Sequence, residues 1–125
     1  MTFLLDVNVL IAAIWTTHAD HLKVDGWVRN KQLATCPISE AGFLRISTHP
    51  KALNSDMTTA RKLLAGFLSK RKVQFIPADL PALKSFPTRS DEVTDFYLAE
   101  LAAKHQMRLA SLDAQSTHPA VELIK

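Results

Sequence analysis

Cysteine is nearly absent: Cys36 is the only one among 125 residues. A single thiol closes no internal disulfide, so a disulfide-stapled scaffold is excluded and a reducing compartment is expected. Glycine and proline are sparse as well, at 3 and 6, which excludes low-complexity and collagen-like chains. Charge of one sign is not in large excess. Fifteen basic residues against 12 acidic ones leave a formal net charge of +3, a bias that permits nucleic-acid contact without demanding it. No apolar run approaches the roughly 18–20 residues that cross a bilayer. The apolar start has no Lys or Arg before it and carries Asp6 and Asn8 within it, a poor pattern for a signal peptide. A soluble, cytoplasmic protein without a membrane partner is expected. No repeat or linker divides the chain, so one domain over residues 1–125 is expected. What is present is ordinary for a globular core: 47% hydrophobic and 22% charged residues.

Short apolar runs alternate with helical patterns. Thr2 to Leu5 reads as a buried strand ending at Asp6, and Val7 to Ile14 as the helix after it. A second helix is expected over His18 to Arg29, with Leu22, Trp27 and Val28 inward. Leu33 to Cys36 reads as a strand stopped by Pro37, and Ser39 as the N-cap of a helix from Glu40 to Ser47. Asn54 to Ser69 carries Ala60, Leu63, Leu64, Phe67 and Leu68 at helical spacing. Val73 to Ile76 is a third strand, Asp91 to His105 a helix with Val93, Phe96, Tyr97 and Leu101 on one side, Arg108 to Leu112 a fourth strand, and Val121 to Ile124 a fifth. Such alternation predicts an α/β fold with a parallel sheet and helices on both faces. In these sheets ligands bind outside the carboxyl ends of the strands.

Four acids are expected at that edge. Asp6 and Asp113 each follow an apolar strand. Glu40 opens the helix after the second strand. Asp95 stands in the first turns of its helix above Leu98, Ala99 and Ala102, an apolar stripe over which an acid must be paired or point into a cavity. Converging carboxylates raise one another's pKa values unless a cation neutralises them. Their hard oxygens suit Mg²⁺ or Mn²⁺, and such an ion binds a phosphate and acidifies water. Metal-assisted phosphodiester hydrolysis is the chemistry this set implies. Singly, each acid has a plainer reading: Asp6 as a helix N-cap, Glu40 as a partner of the helix dipole, Asp113 as a turn residue.

The segments around these acids resemble those of PIN-domain ribonucleases, specifically VapC-type toxins of toxin–antitoxin pairs. Phe3-Leu4-Leu5-Asp6-Val7-Asn8-Val9-Leu10 resembles the opening strand with its Asp and following Asn. Cys36-Pro37-Ile38-Ser39-Glu40-Ala41-Gly42-Phe43-Leu44-Arg45 resembles the second acidic segment. Val93-Thr94-Asp95-Phe96-Tyr97 resembles the third, and Arg108 to Asp113 the fourth, all in order and across nearly the whole chain. The resemblance implies a three-layer α/β/α fold around a parallel sheet. It implies that Asp6, Glu40, Asp95 and Asp113 hold Mg²⁺ and cut RNA, with Asn8 and Ser111 as supporting polar groups. It also implies a homodimer silenced by a cognate antitoxin. Ser39 and Ser111 stand where many relatives have Thr, and each keeps a hydroxyl. The Thr-Asp-aromatic register selects Asp95 over Asp91, which reads as a helix cap, and over Glu92.

Arg45 either binds a phosphate near the metal or pairs with one of the acids. Arg61, Lys62, Lys70, Arg71 and Lys72 read as a solvated helix face, with phosphate contact as the other option. The five histidines form no zinc pattern, Cys36 reads as a small buried hydrophobe, and Trp15, Trp27 and Phe67 read as core or dimer contacts. Two other readings compete: an aspartyl-phosphate enzyme, which lacks its second acid because position 8 is Asn, and a catalytically silent PIN-like module that binds RNA or a partner.

Overall fold

The computed structural model describes residues 1–125 throughout. Five strands, β1 (Thr2–Leu5), β2 (Gln32–Thr35), β3 (Gln74–Phe75), β4 (Arg108–Ser111) and β5 (Val121–Leu123), form one parallel sheet in the order β3-β2-β1-β4-β5. Five helices connect them: α1 (Val7–Ile14), α2 (His21–Val28), α3 (Pro37–Thr48), α4 (Met57–Lys70) and α5 (Val93–Lys104). The architecture is the expected three-layer α/β/α fold.

Side-chain alternation along the strands builds both cores. Phe3 and Leu5 of β1 point to one face, where they pack with Val9 and Leu10 of α1, Val24 of α2, Phe43 of α3 and Leu64 of α4. Leu4 points to the other face, against Leu98, Ala99 and Leu101 of α5. The placement follows from handedness. Right-handed crossovers that step from β1 to β2 to β3 put their helices on one face. The crossover that returns from β3 to β4 puts α5 on the opposite face.

Several local expectations shift. The helix expected from Asn54 begins at Met57, because Asp56 caps it by accepting the Thr59 N–H (2.9 Å) and Asn54 adopts a left-handed φ of 53°. The helix expected from Glu40 begins three residues earlier. Pro37 occupies its first position, where a missing N–H costs nothing, and Cys36 rather than Ser39 is the capping residue, without a side-chain cap bond. Ser39 is instead fully buried inside the helix, 3.6 Å from the Cys36 Sγ. Leu22, expected inward, is 84% exposed, and Val93 is exposed as well; Val24 and Val28 are the inward residues of α2. Trp27 packs edge-on against Phe3 with ring centroids 5.0 Å apart. Asp91 is exposed and pairs with Arg89 (3.0 Å) instead of capping α5. No helix is long and apolar enough to cross a membrane.

Candidate active site

The sheet order reverses direction between β1 and β4, and a crevice opens there outside the carboxyl ends of the strands. Asp6 follows β1 and Asp113 lies two residues beyond β4, so the two acids flank this switch point. The backbone ties them together. The Asp6 N–H donates to the Ala110 carbonyl (3.1 Å), which extends the β1–β4 ladder by one rung. Ser111 Oγ donates to Asp6 Oδ2 (3.2 Å) and accepts the Asp113 N–H (3.0 Å). One serine hydroxyl therefore links the two acidic segments.

Asp6 is also the N-cap of α1, its Oδ1 accepting the Val7 N–H at 2.7 Å. The cap reading and the site reading hold together, because each carboxylate oxygen has its own task. Asp6 is almost fully buried, and its carboxyl is pushed up to about 6, first by burial, then by the charge of Asp95, and least by that of Asp113. The Val7 N–H and the Ser111 hydroxyl oppose the rise. Asp95, in the first turn of α5, is half-buried, and its carboxyl is raised by burial and by the charges of Asp113 and Asp91. The mutual repulsion places Asp6, Asp95 and Asp113 in one electrostatic cluster. Asp113 also shapes its own turn by accepting the Gln115 N–H (2.9 Å).

Asp95 is the wall between two openings. On one side a cleft of about 450 Å³ runs between α1, α3 and α5, with Asp6, Arg45, Gly42 and Thr94 on its walls. On the other side a smaller pocket of about 250 Å³ is lined by Asp113, Asp91, Glu92, Arg89 and Ser116. Sequence reasoning passed over Arg89 and Ser116. Arg89 carries a signal, two acids within the next three residues, and the structure pairs it with both Asp91 and Glu92. Glu92 turns back to accept the Thr88 and Arg89 N–H groups (2.9 and 3.0 Å).

Glu40 is not brought to this cluster. It lies on another side of α3, in a groove with Leu44, Arg61 and Leu64 of the α3–α4 contact. Its carboxyl is raised by burial alone, with no contribution from the other acids. The reason is helical phase. Ile38, Ala41, Gly42 and Arg45 share the face turned to the cleft, and position 40 is rotated away from it.

The donor chemistry fits a hard divalent cation. As arranged, no three His, Cys, Asp or Glu side chains stand close enough to share one ion. Mg²⁺ does not require such a cage, since it keeps several waters and takes one or two carboxylates plus substrate oxygens. Two carboxyls raised first by burial and then by neighbouring carboxylates are what a cation would relieve. Asn8 Oδ1, in the first turn of α1, is buried with no hydrogen-bond partner, one more unspent oxygen near Asp6 in the chain.

Comparison with known proteins follows the same outline. The PIN domain family model matches residues 3–121. Ribonuclease VapC38 of Mycobacterium tuberculosis is 37% identical over 124 residues, covering 89% of this chain and 84% of that protein. Ribonuclease VapC39 of the same species is 37% identical over 125 residues, covering 91% and 90%. Among solved structures, VapBC2 from Rickettsia felis, bound to a DNA fragment from their promoter, superposes with a TM-score of 0.65 over 98% of this chain and 97% of that one. At 17% identity, that likeness speaks for the fold alone.

Proposed function

The chain belongs to the PIN-domain family, on its VapC branch, and from that membership we propose that it is a Mg²⁺-dependent endoribonuclease toxin. It hydrolyses RNA phosphodiester bonds and is neutralised by a cognate antitoxin. The observation that carries the reading is the joining of Asp6 and Asp113 through Ser111 at the β1/β4 switch point, with Asp95 raising the Asp6 carboxyl by its charge and sharing its cleft. Mn²⁺ substitutes for Mg²⁺, because both take hard oxygen ligands. Action in the cytoplasm and pairing as a homodimer belong to the same proposal.

Asp6 and Asp95 would hold the ion directly, with Asp113 completing the acidic set and Asn8 supporting it. When bound, such an ion supplies positive charge to a phosphate and acidity to a water. The remaining work falls to the chain itself. The Val7 N–H and the Ser111 hydroxyl fix both oxygens of Asp6, so its orientation needs no rearrangement. Asp113, on the wall of the pocket that Asp95 borders, would orient the attacking water and accept its proton. Water adds to phosphorus, the bond to the leaving ribose oxygen breaks, and that oxygen takes up a proton. Glu40 has no part in this scheme, because its groove is a separate one.

The test is cleavage of a mixed pool of cellular RNA by the purified protein, with Mg²⁺ and with EDTA, beside Asp95→Asn. Discrete fragments that require the ion and vanish in the variant are expected. Absence of cleavage by a folded protein that binds Mg²⁺ would overturn the nuclease reading in favour of a silent binding module.

A further inference from the structure

The acidic cluster poses a problem for any polyanionic substrate. Three carboxylates and one divalent ion still sum to a net negative charge, and an RNA phosphate must approach that sum. Only one basic side chain, Arg45, lines the cleft that Asp6 and Asp95 share. It is exposed and forms no ion pair, although two carboxylates share its cleft and nine other pairs form elsewhere in the molecule. The neighbouring cation, Arg89, is already held by Asp91 and Glu92 and faces the other pocket. Beside Arg45 the cleft wall is Ile38, Ala41 and Ile46, whose side chains carry no acceptor to compete for the guanidinium.

We propose that Arg45 is the substrate-docking residue of this cleft, binding a phosphate of single-stranded RNA next to the bond that is cut. The inference rests on the nuclease reading and deepens it. A guanidinium presents a planar fork that matches two phosphate oxygens, and one held free of protein carboxylates needs no bond broken before it binds. Gly42 positions it. A Cβ at residue 42 would stand 2.5 Å from Val7 Cγ2, so only glycine lets α3 lie this close to the start of α1. Arg45, three residues further along the same helix face, then reaches the cleft beside Asp6.

The experiment measures binding of a fluorescently labelled, mixed-sequence single-stranded RNA in EDTA, by anisotropy across a salt series, for the parent, Arg45→Ala and Arg45→Lys. Steady-state cleavage kinetics and melting of the same proteins accompany it. Loss of one charged, bidentate contact should weaken binding about tenfold or more. It should also flatten the slope of log K against log salt by about 0.7, the value for one single-strand phosphate contact. Lysine should restore the slope but only part of the affinity, because it keeps the charge and loses the fork. In cleavage, KM should rise with kcat nearly unchanged, as for a contact made equally in the bound and transition states. Equal affinity and equal salt slope in Arg45→Ala would overturn the proposal. So would a lower melting temperature of that variant with binding that merely follows its folded fraction, the mark of an internal counter-ion. Cleavage by the parent with an unaffected Arg45→Ala sinks this inference alone, whereas a parent that neither binds nor cleaves RNA sinks the nuclease reading with it.

Discussion

Alanine at each of the three glycines should split them into two classes. All three lie inside helices: Gly26 in α2, Gly42 in α3 and Gly66 in α4. Glycine in a helix interior costs about 1 kcal/mol relative to alanine. At Gly26 and Gly66 a new Cβ meets nothing within 4 Å, so Gly26→Ala and Gly66→Ala should each stabilise by about 0.5–1 kcal/mol. At Gly42 the new Cβ would stand 2.5 Å from Val7 Cγ2 and 3.2 Å from Cγ1. Valine in a helix has one strongly preferred rotamer, so Val7 cannot swing aside and the helices must separate. Overpacking of this kind costs about 1–3 kcal/mol. Against a propensity gain of about 1 kcal/mol, the net is a loss of about 1 kcal/mol. The predicted gap between the classes is about 2 kcal/mol, or about 5–10 °C in melting temperature for a chain of this size. Denaturant titration and calorimetry would measure it. The displaced Val7 carries the N–H that holds Asp6 Oδ1, so Gly42→Ala should also lose more RNA cleavage than its unfolded fraction explains. If it is stabilised like the other two, the close approach of α3 to α1 is refuted.

Three more expectations concern the acids. The Asp6 carboxyl sits at about 6 in the folded protein against 3.8 for an unperturbed aspartate, so the folded state binds its proton more tightly than the unfolded chain. Stability without metal should therefore fall as pH rises from about 4 to about 6, by an order of 3 kcal/mol. Asp6→Asn keeps an oxygen for the α1 cap and should flatten that slope in pH-dependent denaturation; an unchanged slope would refute the assignment. Mg²⁺ or Mn²⁺ at a hundred times its dissociation constant should stabilise the parent by about 2.7 kcal/mol. The rise in melting temperature should vanish in EDTA and shrink in Asp95→Asn, and its survival in that variant would place the ion elsewhere. Glu40→Gln should retain cleavage, since Glu40 occupies a separate groove with Arg61; loss of activity in a folded variant would return it to the reaction.

Much of the site was legible because strand ends are legible. An apolar run that stops at an acid puts that acid at the edge of a sheet, which located Asp6 and Asp113 without coordinates. Asp95 stood out because an acid above the apolar stripe of Leu98, Ala99 and Ala102 must be paired or point into a cavity, and the Thr94-Asp95-Phe96 register selected it over Asp91 and Glu92. The inward faces of α2 and α5 were less legible. Leu22 and Val93 are large apolar residues that the fold leaves in solvent, and helical spacing alone offers no way to tell them from the buried ones.

The sequence by itself determined the alternation of apolar strands and helices and the parallel α/β class that follows from it, and it offered four acids for one edge, Asp6, Glu40, Asp95 and Asp113. Tertiary structure alone decided the strand order, and with it that β1 and β4 are neighbours and that Ser111 joins their acids. It alone decided the facing of α3. That helix carries apolar residues around most of its circumference, from Ile38 and Ala41 to Phe43, Leu44 and Ile46, so no stripe in its sequence marks an inward side. Its orientation comes from the partner it packs against. The tight fit of Gly42 on Val7 turns Arg45 into the cleft and leaves Glu40 outside it. A contact between residues so far apart in the chain has no local signature, because its energy depends on shapes that meet only when the sheet has formed.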